Sequence, residues 1–194
     1  MKSHMILVSQ NMLNYDLMLP KDVVFRINLA WCNTLKELKS ILSNNKKSEF
    51  FLDLPIGRIK PPNNRYSLDD VISIIKENSS IRYFAVSNVE NSSDLQPFLD
   101  KLPDYINIVP KIESPKAVLN IKEICDSLKT KRKTVMLDHD DLFSSIINNN
   151  GDKNSFQEYI KNLVDFCEEN NISLLRTVGV MFSDDEKRIT QYEK

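Results

Sequence analysis

The chain has 194 residues, 41% of them hydrophobic, with 26 basic and 27 acidic side chains and a formal net charge of -1. That is enough apolar chain for one core, read as a single domain over 1–194, and too little excess positive charge to draw the protein to nucleic acid. No apolar run is long enough to cross a bilayer, and the N-terminus lacks the hydrophobic core of a secretory signal. Cys32, Cys125 and Cys167 form no CxxC pair and read as the free thiols of a cytoplasmic protein.

Along the chain, residues 5–9 and 23–29 read as the first two strands, because Val, Ile and Phe at successive positions suit strands covered on both faces. Leu35, Leu38, Ile41 and Leu42 follow at helical spacing behind a Thr34/Glu37 capping pair. A strand at 50–54 leads into a Pro- and Asn-rich loop at 60–65. Ser67 and Asp70 then open a helix with Val71, Ile72, Ile74 and Ile75 on its apolar face. Next come a strand at 82–87, a helix at 93–102 that tolerates Pro97 in its early turn, and a strand at 106–110. Ser114 caps, and Pro115 starts, a helix carrying Val118, Leu119 and Ile121. The basic run at 129–133 reads as a solvated helix end or loop before a strand at 134–138. A loop at 148–154 around Gly151 precedes a helix opened by Ser155 and Glu158, with Ile160, Leu163, Val164 and Phe166, and a seventh strand spans 172–177. Seven strands alternating with helices predict a parallel α/β sheet, either open or closing as a barrel.

Parallel α/β proteins bind ligands at the C-terminal ends of their strands, so the chemistry is sought there. Lys111 and Glu113 stand two apart at such an end and face the same way in extended chain. A carboxylate there is a hard oxygen ligand for Mg2+ or Mn2+, and the ammonium can offset charge on a bound acid; the same two residues can also be a rim ion pair. Asp138, His139, Asp140 and Asp141 crowd the next strand end, where they serve either a cation or the first turn of a helix. His139 and Asp138 are candidate acid–base groups. Arg26 and Asn28 share one face of the second strand, where an Arg fork suits carboxylate or phosphate. Asp53 can tie Arg26 in place or contact a cation, and Arg58 and Lys60 can bind an anion. Gly occurs only at 57, 151 and 179, and neither GxGxxG nor GxxxxGK is present, so no glycine-built nucleotide cradle is expected.

In order, these blocks resemble the barrel of pyruvate kinase and the related superfamily of phosphoenolpyruvate- and pyruvate-binding enzymes, which includes aldolases and citrate-lyase-like proteins. Phe25-Arg26-Ile27-Asn28-Leu29 resembles the Arg-x-Asn strand, and the stretch from Leu52 to Lys60 resembles the third-strand Asp with its basic segment. Pro110-Lys111-Ile112-Glu113 matches the Lys-Ile-Glu block. His139-Asp140-Asp141-Leu142 is similar to the Arg-Gly-Asp-Leu segment, and Leu175-Arg176-Thr177 to the Thr-bearing strand. The resemblance implies a shortened or incomplete (β/α) TIM barrel. It implies Mg2+ or Mn2+ on Glu113 and Asp141, and Asn28 and Asp53 in supporting or monovalent-cation positions. It further implies Lys111 beside an enolate oxygen, with Arg26, Asn28, Lys60 and Thr177 lining the substrate.

Ala30, Leu54 and Asp140 stand where pyruvate kinases carry other residues, and the large inserted domain is absent, which argues against ATP-forming activity and a nucleotide cofactor. Two readings follow. One is a divalent-metal-dependent lyase acting on pyruvate, oxaloacetate or a related keto acid through an enolate, with Arg26, Lys111 and His139 as its catalytic candidates. The other is a small-acid sensor or structural module that has lost turnover. With seven strands visible, a homo-oligomer or another partner covering an open barrel edge is also expected.

Overall fold

The computed structural model describes residues 5–9, 13, 23–56 and 65–176. Within them lie seven strands: β1 (Ile6–Ser9), β2 (Val23–Asn28), β3 (Glu49–Leu54), β4 (Ile81–Val86), β5 (Asn107–Ile112), β6 (Thr134–Leu137) and β7 (Ser173–Arg176). All seven expected strands are present, displaced by no more than a residue or two at most of their ends. Each pairs in parallel with the next, in the order β1-β2-β3-β4-β5-β6-β7. Sequential parallel order sends every crossover to one face of the sheet. The other face must then bury itself by curling.

The two cores show this division. The larger one joins the outward strand residues, among them Ile27, Leu52, Phe84, Ile112 and Leu137, to the buried faces of the helices. The smaller one contains strand residues only: Val24, Phe51, Ala85, Val109 and Met136, with Met5, Leu7, Tyr83 and Leu175 partly buried against it. Side chains from seven separate strand regions share this cluster because the sheet is curled into an incomplete barrel, with the helices outside. A register shift between Phe50 and Phe51 pairs Phe50 with Ile81 but Phe51 with Tyr83, so Arg82 is the extra residue of a bulge. Ile81 therefore joins the outer core, whereas Tyr83 and Ala85 point inward.

The helices are α1 (Leu35–Asn44), α2 (Leu68–Glu77), α3 (Gln96–Lys101), α4 (Pro115–Leu119), α5 (Ile121–Ser127), α6 (His139–Asn148) and α7 (Phe156–Glu169). Ser67 and Asp70 form the expected reciprocal capping box on α2. Thr34 caps α1, but Glu37 reaches back to the N–H of Asn33 at 2.9 Å instead of to that of Thr34. Ser114 caps α4 and Pro115 starts it, as expected, while the helix expected at 93–102 opens with a 3-10 turn, Ser92–Leu95, before α3. The helix after Pro115 breaks at Asn120, whose side chain donates to the Glu90 carbonyl at 2.8 Å and whose N–H caps α4. Leu119 consequently faces solvent at 73% exposure. Ser155 does not cap α7, because it already belongs to a 3-10 turn, Lys153–Ser155, and its hydroxyl donates to the Asp152 carbonyl at 2.6 Å.

Three non-glycine residues, Asn88, Asn150 and Asn171, occupy the left-handed region. Asn tolerates that conformation better than other side chains, and in a chain with so few glycines it takes over their role. Among the described residues no helix is long and apolar enough to cross a membrane.

Candidate metal centre at the strand ends

The inward alternation that places Val24, Phe51, Ala85, Val109 and Met136 in the inner core continues toward the C-terminal strand ends. There it presents Arg26, Asn28, Asp53, Ser87, Lys111, Glu113 and Asp138. Lys111 and Glu113 are both buried, at 5% and 7% exposure, and their Nζ and Oε1 atoms lie 2.5 Å apart. Lys111 Nζ also lies 3.7 Å from Asp138 Oδ2 and donates to Ser87 Oγ at 3.5 Å. The second Glu113 oxygen accepts the backbone N–H of Asn88 at 2.7 Å. Asp138 is the N-cap of α6, and its Oδ1 accepts the N–H of Asp141 at 3.3 Å, which brings Asp141 to the same mouth.

Glu113, Asp138 and Asp141 each offer an oxygen, and the three oxygens lie within 4.8 Å of one another. Asp53 stays outside this group. It is fully buried and accepts from both Nε and a terminal nitrogen of Arg26, the Nε bond being 3.0 Å; its Oδ1 has no hydrogen-bond partner among the described residues. Three hard oxygen donors this close together fit a divalent cation such as Mg2+ or Mn2+.

The protonation states follow from burial and neighbours. Burial pushes the Lys111 ammonium down, but Asp53, Glu113 and Asp138 together outweigh it and leave its pKa above the ordinary value. Burial pushes the Glu113 carboxyl above its ordinary 4.5, against the opposing pull of Lys111 and the Asn88 N–H. His139 is held below its ordinary 6.5 by burial and by Arg176, which outweigh Asp138 and Asp140. Its Nε2 lies 3.3 Å from a guanidinium nitrogen of Arg176, and because guanidinium only donates, Nε2 accepts.

The raised Glu113 pKa has a testable sign. A carboxyl bound to its proton more tightly in the folded than in the unfolded chain adds stability below its ordinary pKa of 4.5, and that stability is lost as pH rises through the folded value. In metal-free protein, urea midpoints taken from about pH 4 to about pH 7 should fall less steeply for Glu113→Gln than for the wild type. Equal slopes would mean that Glu113 is not desolvated.

Of the residues proposed from sequence, the structure brings Lys111, Glu113 and Asp141 together and pairs Arg26 with Asp53. Asn28 uses its side-chain oxygen to cap the 3-10 turn Leu29–Trp31, accepting from Ala30 N at 3.0 Å. Lys60 and Thr177 lie outside the described residues. The sequence put Asp138 in the acidic cluster and offered it as an acid–base candidate, but singled out Asp141 as the ligand. Its place two residues after inward-facing Met136 was the available signal. Ser87 and Asn88 were missed as site residues; the only hint was a Ser-Asn pair closing a strand.

No family model matches the chain, and no curated protein matches it in sequence. Solved structures do match. RipC from Yersinia pestis superposes with a TM-score of 0.60 at 14% identity, covering 92% of this chain and 77% of RipC. The HpcH/HpaI aldolase from Desulfitobacterium hafniense DCB-2 superposes with a TM-score of 0.59 at 13% identity, covering 81% of this chain and 69% of the aldolase. Identities this low carry the fold alone. In its described part, this chain shares the fold of these two proteins, as a seven-stranded, incomplete α/β barrel.

Proposed function

We propose that this chain is a divalent-metal-dependent lyase acting on pyruvate, oxaloacetate or a related keto acid through an enolate. The carrying observation is the buried Lys111–Glu113 pair next to Asp138 and Asp141 at the strand ends of an aldolase-like fold. Glu113, Asp138 and Asp141 would hold Mg2+ or Mn2+, whose chemistry is to polarise the oxygens of the bound acid. Lys111, desolvated and kept cationic, is suited to face the negative charge that develops as a C–C bond opens, because a fixed positive group in a dry site needs no reorganisation. Arg26 is oriented by Asp53 and, with Asn28, Lys60 and Thr177, would take the carboxylate end of the substrate. His139, its pKa held below the ordinary value, is the candidate proton acceptor once Arg176 releases its Nε2.

A second reading is favoured by one observation: Arg26 is engaged by buried Asp53, and His139 by Arg176. A module that binds a small acid without turning it over would need neither group to be released. Titration calorimetry with Mg2+ or Mn2+, followed by oxalate and pyruvate, separates the readings from failure of both. The wild type should bind metal and then acid, and Glu113→Gln should weaken metal binding about a hundredfold. Absence of metal and acid binding by the wild type would refute the proposal. Binding without conversion of any member of a keto-acid panel would favour the non-catalytic module.

A further inference from the structure

We propose that Asn88 is a positioning residue for Glu113: its left-handed backbone aims its amide at the carboxylate and holds the second oxygen in place. This inference rests on Glu113 being a metal ligand. Asn88 has a φ of 56°, and its N–H donates to Glu113 Oε2 at 2.7 Å. Its side-chain amide donates to the carbonyl of Ile56 at 2.8 Å, which links the end of β4 to the residues after β3. β4 ends at Val86, and the left-handed Asn88 turns the chain out of the strand direction just after the N–H that reaches Glu113. Glu113 is thereby held on one oxygen by Lys111 and on the other by Asn88. A carboxylate fixed at both oxygens loses little freedom when a cation arrives, and hydrogen-bond partners of metal ligands commonly tune affinity by about tenfold to a hundredfold.

Asn88 is exposed, and apart from its tether to the Ile56 carbonyl its backbone N–H is the group it turns toward the site. The left-handed conformation is disfavoured for a residue with a Cβ, least for Asn and not at all for Gly. A residue other than Gly or Asn at this position would therefore swing the amide off Glu113.

Two measurements test the inference. In metal-free protein, hydrogen exchange should show the Asn88 amide protected in the wild type and unprotected in Glu113→Ala; equal exchange in the two would overturn the bond. With Mn2+ as the probe, Asn88→Ala should bind about tenfold more weakly than the wild type, while Asn88→Gly should stay within about threefold. Thermal melts of both variants check that the fold is retained. Wild-type-like affinity in Asn88→Ala would overturn the inference and leave the metal site standing. Equal weakening in Ala and Gly variants would overturn the role of the backbone amide in favour of the Ile56 tether. A wild type that binds no Mn2+ would remove the metal reading and the positioning role with it.

Discussion

Lys111→Met should destabilise the metal-free protein by about 3–5 kcal/mol near pH 7, measured by urea denaturation. Met matches the length and apolar stem of Lys, so the loss isolates the ammonium. That ammonium lies 2.5 Å from Glu113 and 3.7 Å from Asp138, and Asp53 is its strongest electrostatic neighbour among the carboxylates. Without it, Glu113 is a buried carboxylate with only the Asn88 N–H to satisfy it. The loss should shrink as pH falls, because Glu113, already raised by burial, then takes up a proton and the charge disappears. It should shrink again when Mn2+ is added, since the cation replaces the missing positive charge. The double variant Lys111→Met with Glu113→Gln should recover much of the stability, because a buried pair replaced as a whole leaves no lone charge. A loss under about 1 kcal/mol for Lys111→Met alone would show a solvated rim pair of the kind that contributes little.

Phe51→Ala should cost about 3–5 kcal/mol, with a corresponding fall in the urea midpoint. Phe51 is fully buried in the inner core and stacks on Tyr83 with ring centroids 6.1 Å apart. The inner core has few members, one of them Ala85, so little neighbouring side chain is available to collapse into the space the ring leaves. Phe51 also lies beside Arg26 in register and two residues before Asp53. The cavity would therefore open beneath the strand-end site, and metal affinity is expected to fall together with stability. A substitution tolerated at less than about 1 kcal/mol would mean that the barrel interior is not packed.

Much of the fold was legible because buried parallel strands write themselves as uninterrupted apolar runs. Phe50, Phe51 and Leu52 are consecutive and fully buried, and no alternation was needed to find them. The Lys111/Glu113 pair was legible for a local reason, since two residues of extended chain return to the same face. Arg26 with Asp53 was offered as one option among several, because their meeting depends on the β2–β3 register, which aligns Asn28 with Asp53 and which no local pattern encodes. Asp138 joins Glu113 only after the sheet curls and β6 falls beside β5. Ser155 and the chain around Asn120 misled for the opposite reason: each carries good local helix chemistry that a tertiary or turn hydrogen bond overrides. Lys60 and Thr177 lie outside the described residues, so their expected roles rest on the resemblance alone.

The extra residue at Arg82 acts as a phase corrector for the fourth strand. Residues before it keep the in-and-out rhythm set by the preceding connection, and those after it keep the rhythm that Ser87 and Asn88 require. Upstream insertions or deletions of a single residue could be absorbed at this point without turning the strand-end groups away from the barrel mouth. The length of the chain between α2 and β4 is thus free to drift, while the end of the strand that carries Ser87 stays in step with its neighbours.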